Sequence, residues 1–152
     1  RILSMSRDRY FEEIELGDNW TTDGRTITEA DVVNYAGVSG DFHPYHVDAE
    51  FASDSDFGGR IAHGLLVLSV TAALESTENE HSFMYGFESM RFVNPTALGD
   101  TVHVDVEVTD KSVKSDDHGV VTKHFEVRNQ DDETLLVCDK LELFERADQE
   151  GE

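Results

Sequence analysis

The chain has 152 residues, of which 38% are hydrophobic, enough for one core of ordinary size and too few for two domains. Asp and Glu number 33 against 12 for Lys and Arg, a formal net charge of −21, which disfavours nucleic acids and anionic membranes as partners. Acidic residues run through the whole sequence, which suggests adaptation to high salt, where counterions screen their repulsion. An acidic protein without that adaptation is the alternative.

The first part of the chain predicts a strand followed by a capped helix. Residues 20–27 alternate between apolar and polar and include a glycine, a pattern that predicts an irregular strand. Thr28 has the character of a helix N-cap, and acidic residues follow it in the first turn. The helix is predicted to end one or two residues before Gly40. Because glycine accepts a backbone angle that other residues resist, we expect the chain to turn there and to aim Asp41 inward.

The next segment reads YAGVSGDFHPYH over residues 35–46 and places Asp41 and His46 five residues apart across Pro44. Proline lacks an N–H and disfavours the helical conformation of the preceding residue, so we expect a shaped loop and not a regular helical turn. A carboxylate and an imidazole fixed on a rigid turn are typical of acid–base catalysis. In isolation, this spacing more often marks a turn-capping aspartate and a surface histidine.

The most apolar run, IAHGLLVLSVTAAL over residues 61–74, predicts a buried helix, because apolar residues lie on nearly all of its faces. Its β-branched residues leave a strand as the alternative. Before it, Asp48 is predicted to cap a short helix over residues 49–52. Alternation and turn residues predict strands over 84–93, 101–113, 120–129 and 134–144, with hairpin turns over 115–119 and 129–133. A completely wrapped helix followed by consecutive antiparallel strands predicts an α+β domain in which a curled antiparallel sheet surrounds a central buried helix.

The chain contains one cysteine, Cys138, so it has no intramolecular disulfide, and the apolar neighbours of Cys138 predict a buried thiol. No stretch approaches the roughly 18 apolar residues of a membrane span, and the N-terminus shows no signal-peptide pattern, so we expect a cytoplasmic protein. We expect residues 1–9 to be a partly disordered N-terminal extension, residues 10–145 to be the domain, and residues 146–152 to be an acidic tail.

Three segments share their order and spacing with the motifs of one family: GDFHPYH followed by VDAEFA, RIAHGLL over residues 60–66, and RFVNPTALGDTV over residues 91–102. They resemble the signature of the MaoC-like (R)-specific enoyl-CoA hydratases, and the resemblance covers nearly the whole chain. It implies a hot-dog fold. One departure is His43, which stands where the family usually has asparagine.

The resemblance implies (R)-specific hydration of a trans-2-enoyl-CoA to a 3-hydroxyacyl-CoA, or the reverse dehydration. In that reaction Asp41 acts as base on a water that His46 helps to orient, His46 assists proton delivery, and the backbone N–H of Gly64 stabilises the thioester oxygen. A glycine kept only for tight helix packing is an equally good interpretation of Gly64. The pattern implies no metal site, and coenzyme A enters only as part of the substrate.

The same motifs supply candidate substrate-binding residues, which are His43, Tyr45, Arg60, His63, Leu65 and Arg91. For His43 we favour a hydrogen bond across the loop in place of the family asparagine, and for His63 a hydrogen bond that anchors the loop, over a catalytic role. The guanidinium groups of Arg60 and Arg91 are candidates for the coenzyme A phosphates or for plain solvated charges. The wall of the acyl pocket is predicted to contain Tyr45, Phe57, Leu65 and Val67.

Two other functions stay open on the same fold, an acyl-CoA thioesterase and a non-catalytic subunit that binds acyl thioesters. The coupled Asp41 and His46 favour the hydratase, with a CoA or acyl-carrier thioester as substrate and no nucleic acid or membrane as partner. A single curled sheet leaves an open edge, so we expect a homodimer or a dimer of dimers.

Overall fold

The structure is a computed structural model that describes residues 8–76 and 79–147. Its helices are α1 (Glu29–Ser39), α2 (Pro44–Val47), α3 (Ala49–Ser53) and α4 (Gly64–Glu75). Its strands are β1 (Asn19–Thr21), β2 (Arg25–Thr26), β3 (Ser82–Phe92), β4 (Thr101–Val113), β5 (His118–Arg128) and β6 (Thr134–Glu145). A 3₁₀ turn at Phe11–Glu13 precedes β1.

The strands form an antiparallel sheet in the order β1-β4-β5-β6-β3, and β2 pairs with the beginning of β4. Alternate residues of the central strands point into the core, as Val102, Val104 and Val106 of β4 do. Leu66, Val67 and Val70 of α4 pack against them in the same apolar cluster. The predicted α+β domain, a curled antiparallel sheet around a central helix, is therefore confirmed.

The local signals for the first helix are also confirmed. The Asp31 N–H donates to Thr28 Oγ1 at 3.1 Å, and the Thr28 N–H donates back to Asp31 Oδ2 at 2.8 Å, a reciprocal cap of the helix start. The bond from the Thr28 backbone outweighs desolvation and lowers the pKa of Asp31. Gly40 ends α1 with φ +79°, the left-handed conformation for which glycine is suited.

Three sequence predictions are wrong in detail. The predicted first strand splits into β1 and β2, and α4 begins at Gly64 because residues 61–63 are extended, with Ile61 bridged to Ala97. The helix α4 is also not wrapped on all sides. Leu65, which is 52% exposed, forms an exposed stripe with Ser69 and Ala73, because the sheet curls around only part of the helix.

Cys138 is buried as predicted, and burial raises the pKa of its thiol to about 12. Within residues 8–76 and 79–147, no helix combines the length and the apolar character needed to cross a membrane. The predicted N-terminal extension and acidic tail lie largely in residues 1–7 and 148–152, outside the described residues.

Candidate active site

The segment after α1 turns at Gly40 and then forms a single helical turn. That turn is α2, which begins at Pro44, and His43 is its N-cap, with Nδ1 accepting from the Tyr45 N–H at 3.2 Å. Proline is well suited to the first position of a helix, where no N–H partner is needed. The prediction of a loop throughout this segment is therefore wrong from Pro44 onward, and His46 lies on a helical turn.

Asp41 is held at three of its atoms. Its N–H donates to Ser39 Oγ at 3.1 Å, its Oδ1 accepts from the His43 N–H at 3.2 Å, and its backbone oxygen accepts from His63 Nε2 at 2.9 Å. These contacts leave Oδ2 for other partners. The side chain is 53% exposed, so the carboxylate that we expected to point inward lies at the mouth of a cavity and is not enclosed.

The imidazole of His46 is oriented by the backbone of Ile61. Its Nδ1 lies 2.7 Å from the Ile61 oxygen, and because a carbonyl oxygen only accepts, Nδ1 carries the hydrogen. In neutral His46 the other nitrogen, Nε2, is therefore an acceptor. It lies 3.8 Å from Asp41 Oδ2, too far for a direct hydrogen bond but suited to a single water molecule that contacts both atoms.

His63 joins the loop to the start of α4. Its Nε2 donates to the backbone oxygen of Asp41, which is the anchoring contact that we favoured from the sequence. The ring is buried, 3% exposed, and stacks on His46 with centroids 3.8 Å apart and planes at 27°. Its Nδ1 has no hydrogen-bond partner in the part of the chain that the structure describes, so a buried acceptor stays available beside His46.

Asp41, His46 and His63 each place one donor atom within 4.8 Å of the others, a spacing that raises the question of a metal ion. Zinc lies about 2.0–2.1 Å from an imidazole nitrogen, in the direction of a lone pair that lies in the ring plane. The rings of His46 and His63 lie one above the other, so their lone pairs do not converge on one point. This arrangement therefore does not favour a metal ion shared by the three residues.

A cavity of about 560 Å³ opens beside these residues. Of the residues predicted from the sequence, it is lined by Asp41, His46, Phe57, His63, Gly64, Leu65 and Val67. Its remaining lining, which sequence reasoning missed, is mostly apolar and includes Tyr35, Ser39, Phe92, Asn94, Thr96, Leu135 and Leu136. The structure thus brings the proposed base, the oriented histidine and the start of α4 into one apolar cleft.

Four of the predicted substrate-binding residues do not line this cavity. The rings of His43 and Tyr45 stack on each other, with centroids 4.7 Å apart, and Arg60 Nη2 binds Glu29 Oε1 at 2.9 Å. Arg91 is exposed on β3, and its side chain forms no ion pair or hydrogen bond with another described residue. The predicted hydrogen bond from His43 across the loop is wrong, because His43 Nδ1 accepts locally. A role for the four in binding the substrate, with Arg60 and Arg91 as candidates for the coenzyme A phosphates, stays a prediction.

Phe92, one of the missed residues, lies against Gly64, the candidate oxyanion donor. A Cβ added at Gly64 would lie 2.6 Å from Cε1 of the Phe92 ring, closer than side-chain atoms approach one another, so only glycine fits beneath the ring as it stands. Phe92 belongs to the RFVNPTALGDTV segment singled out above. Its position at the end of a predicted strand could have suggested that it reaches the start of α4.

Comparison with known proteins supports the assignment made from the motifs. The family model described as the MaoC like domain matches residues 13–130. The chain belongs to the MaoC-like domain family. Among curated MaoC-like relatives, Protein MaoC of Klebsiella aerogenes is 42% identical over 108 residues, covering 70% of this chain but only 32% of that protein.

Two further relatives are closer in length. The (R)-specific enoyl-CoA hydratase of Rhodospirillum rubrum is 37% identical over 101 residues, covering 66% of this chain and 69% of the relative. The 3-hydroxybutyryl-CoA dehydratase of Methylorubrum extorquens is 35% identical over 110 residues, covering 72% and 69%. These MaoC-like proteins are named for hydration and dehydration of thioesters.

Solved structures agree on the fold. The monoamine oxidase regulatory protein of Archaeoglobus fulgidus superposes with a TM-score of 0.87 at 33% identity, covering 92% of this chain and 96% of that one. A Mycobacterium tuberculosis protein described as a double hotdog fold has a TM-score of 0.85 at 16% identity, covering 96% of this chain and 47% of that one. At that identity the likeness concerns the fold alone, and it identifies the MaoC-like domain as a hot-dog fold.

Proposed function

We propose that this MaoC-like protein hydrates trans-2-enoyl-CoA thioesters to (R)-3-hydroxyacyl-CoA, or catalyses the reverse reaction, the dehydration of (R)-3-hydroxyacyl-CoA. The observation that carries the proposal is the separation of 3.8 Å between Asp41 Oδ2 and His46 Nε2, inside a cavity that Gly64 also lines. Relatives named as enoyl-CoA hydratase and hydroxybutyryl-CoA dehydratase support the same chemistry. The family assignment alone does not fix the reaction, since one fold serves several functions.

In the proposed reaction, one water donates its hydrogens to Asp41 Oδ2 and His46 Nε2, so its oxygen lone pairs are free to attack C3 of the substrate. The carboxylate of Asp41 takes one proton as the C3–O bond forms, with His46 orienting the water. A proton from this pair is then delivered to C2, which completes the addition of one water. Each positioned acid or base typically contributes about 10²- to 10⁴-fold to the rate.

The negative charge that develops on the thioester oxygen needs hydrogen-bond donors. We assign this task to the backbone N–H of Gly64, the first residue of α4, because the first N–H groups of a helix have no partner within it and the helix dipole favours an anion there. The Phe92 ring covers the side of Gly64 where a side chain would stand, so we assign the role to the N–H itself and expect the thioester oxygen to approach it from the cavity.

The test is an assay of the purified protein with crotonyl-CoA that follows enoyl absorbance and the release of free thiol in parallel. Loss of enoyl absorbance without thiol release, together with an (R)-3-hydroxybutyryl product, is the expected result. Thiol release would instead indicate a thioesterase. Crotonyl-CoA binding with neither signal would indicate the non-catalytic binding subunit, and both results would overturn the proposal.

A further inference from the structure

Four ionisable side chains meet in the core at the opposite end of α4 from the candidate site. Glu75, the last residue of α4, has no exposed surface, and Lys123, Lys140 and Glu142 are each less than 9% exposed. We refer to these four residues as the buried quartet. Lysine and glutamate are rarely this buried unless they are paired, and the proposed catalytic steps use none of the four.

Glu75 is the centre of the buried quartet. Its Oε1 lies 2.5 Å from Lys123 Nζ, and its Oε2 lies 2.5 Å from Lys140 Nζ. The two lysines are direct cross-strand partners on β5 and β6, a placement that is destabilising for like charges. The single carboxylate of Glu75 therefore joins two lysines that would otherwise repel each other.

Glu142 balances the second positive charge. Its Oε2 forms an ion pair with Lys123 Nζ at 2.6 Å, and its Oε1 accepts from Ser82 Oγ at 2.8 Å. Burial alone would lower the pKa of Lys123, but the carboxylates of Glu75 and Glu142 outweigh it and raise that pKa. Burial alone would raise the pKa of Glu142, but Lys123 and Lys140 outweigh it and lower that pKa. These directions keep Lys123 and Glu142 charged.

Such a cluster is weak evidence for stability, because apolar side chains in the place of buried ion pairs are often as stable or more so. Buried ionic groups are better attested as devices that fix register. Here the ion pairs would fix the position of α4 along and around its own axis. The other core contacts of α4 are made by apolar side chains such as Leu66, Val67 and Val70. Apolar burial is non-directional, so these contacts resist sliding and rotation of the helix less sharply than ion pairs with fixed geometry.

We propose that Glu75, Lys123 and Lys140 are positioning residues that lock α4 against sliding and rotation and so hold Gly64, at its other end, in place for the thioester oxygen. The inference rests on the function proposed above. Gly64 and Glu75 are separated by 11 residues, about 16 Å along the axis at about 1.5 Å per residue. A rigid helix carries a shift at one end to the other, and misplacement by about 1 Å can cost about 10²-fold in rate.

The test replaces the whole quartet by apolar side chains of similar length: Glu75→Leu, Lys123→Met, Lys140→Met and Glu142→Leu together. The rings of Trp20, Phe125 and Phe144 already lie within 5.5–6.0 Å of the lysine nitrogens, so the surroundings suit methionine. We expect a folded protein with a Tm close to or above that of the wild type. Its kcat for crotonyl-CoA hydration should fall by about tenfold or more, with a smaller change in KM.

Ser82→Ala is the matched control, because it removes the hydrogen bond that an uncharged hydroxyl donates to Glu142 and leaves all four charges, and it should keep the wild-type kcat. A folded quadruple variant with wild-type kcat would overturn the proposal. Should the quadruple variant not fold, Glu75→Gln keeps the shape of the side chain, and its kcat measured well below its Tm should show the same loss. Wild-type kcat in Glu75→Gln would equally overturn it.

Amide hydrogen exchange separates a failure of this inference from a failure of the proposed function. In the quadruple variant, the amides of α4 should exchange at least about tenfold faster than in the wild type, while those of β5 stay protected. If the wild type does not hydrate crotonyl-CoA, the proposed function is wrong. Amide hydrogen exchange alone then decides whether the buried quartet holds α4 in position. Unchanged protection of α4 would then contradict it.

Discussion

Two backbone carbonyl groups set the hydrogen positions in the candidate site. The Ile61 oxygen accepts from His46 and the Asp41 oxygen accepts from His63, so each neutral histidine keeps one nitrogen without a hydrogen. In the proposed reaction, neutral His46 therefore accepts from water at the start and has no Nε2 hydrogen to give. Any proton that it passes to C2 must first have come from the attacking water.

His43, the departure from the family motif, is predicted to be interchangeable with asparagine. Its Nδ1 caps α2 by accepting from the Tyr45 N–H, and asparagine is among the best N-cap residues. We expect His43→Asn to keep kcat/KM within about threefold and stability close to wild type. His43→Ala, which removes the cap, should lower the free energy of unfolding by about 1 kcal/mol. A large loss of activity in His43→Asn would show that the ring itself contacts substrate.

The two interpretations of Gly64 are separated by changing Phe92 as well. Gly64→Ala alone should displace the Phe92 ring and cost about 1 kcal/mol of stability, and it should also lower kcat/KM. In Gly64→Ala with Phe92→Leu, the added methyl group has room, so we expect Tm to recover. If Gly64 serves the thioester, kcat/KM should stay low in the double variant relative to Phe92→Leu alone. Full recovery of activity would leave Gly64 with a packing role only.

The sequence contained a signal for the buried quartet that the strand pattern conceals. Along β5, Val121, Phe125 and Val127 lie on the buried face of the strand. Lys123 lies on the same face, because it occupies an alternate position between them. A charged residue on the apolar face of a predicted strand indicates a buried partner of opposite charge. Which partner it meets could not be predicted, because Glu75 reaches Lys123 only once α4 lies across the sheet.

At the scale of whole elements, local sequence signals predicted the helices and strands better than they predicted which helix face and which side chains are exposed. Alternating valines predicted β4, and the turn residues predicted both hairpins, because these depend on neighbours in the sequence. The exposed face of α4 and the partial exposure of Asp41 depend on how far the sheet curls and on which contacts hold the loop. Those are long-range contacts, and an apolar run such as residues 61–74 carries no information about which face stays uncovered.

The strand β3 is predicted to be a subunit interface. It ends the sheet with one edge unpaired among the described residues, and Phe83, Met84 and Tyr85 on it are each about half exposed. Long unpaired edges of this kind are normally covered. We expect light scattering to give twice the chain mass of 17.1 kDa or a multiple of it, and Met84→Lys to shift the protein toward monomer.

Val113→Lys is the control for this experiment, because Val113 is an exposed apolar residue of β4, and β5 and β6 separate β4 from β3 in the sheet. It should leave the mass unchanged. An active wild-type monomer at working concentration would contradict the predicted interface.

At the scale of the whole molecule, the dominant feature is a formal charge of −21 on 152 residues. Most of this charge is exposed, so its repulsion is screened by salt: the screening length is about 10 Å at 0.1 M and about 3 Å at 1 M. The buried quartet carries two charges of each sign and is screened much less. Salt should therefore act on the surface and leave the anchoring of α4 unchanged.

We predict that the Tm rises with potassium chloride from low to molar concentration, because screening relieves repulsion that is stronger in the compact state. The kcat/KM for crotonyl-CoA should rise over the same range, because coenzyme A is itself anionic. Circular dichroism melting and hydration rates at each salt concentration measure the two effects. A Tm that stays constant or falls from low to molar potassium chloride would contradict the adaptation to high salt and would indicate an acidic protein without it.

The account depends most directly on Asp41 and His46 acting as a pair on one water. The measurement that tests it is the rate of crotonyl-CoA hydration by Asp41→Asn and by His46→Ala. Asp48→Asn is the matched control, because it changes the nearby carboxylate that caps α3. Both site variants should lose at least about a hundredfold in rate while their Tm stays close to wild type, and the control should keep its rate. Near-wild-type hydration by either site variant would contradict the assigned chemistry.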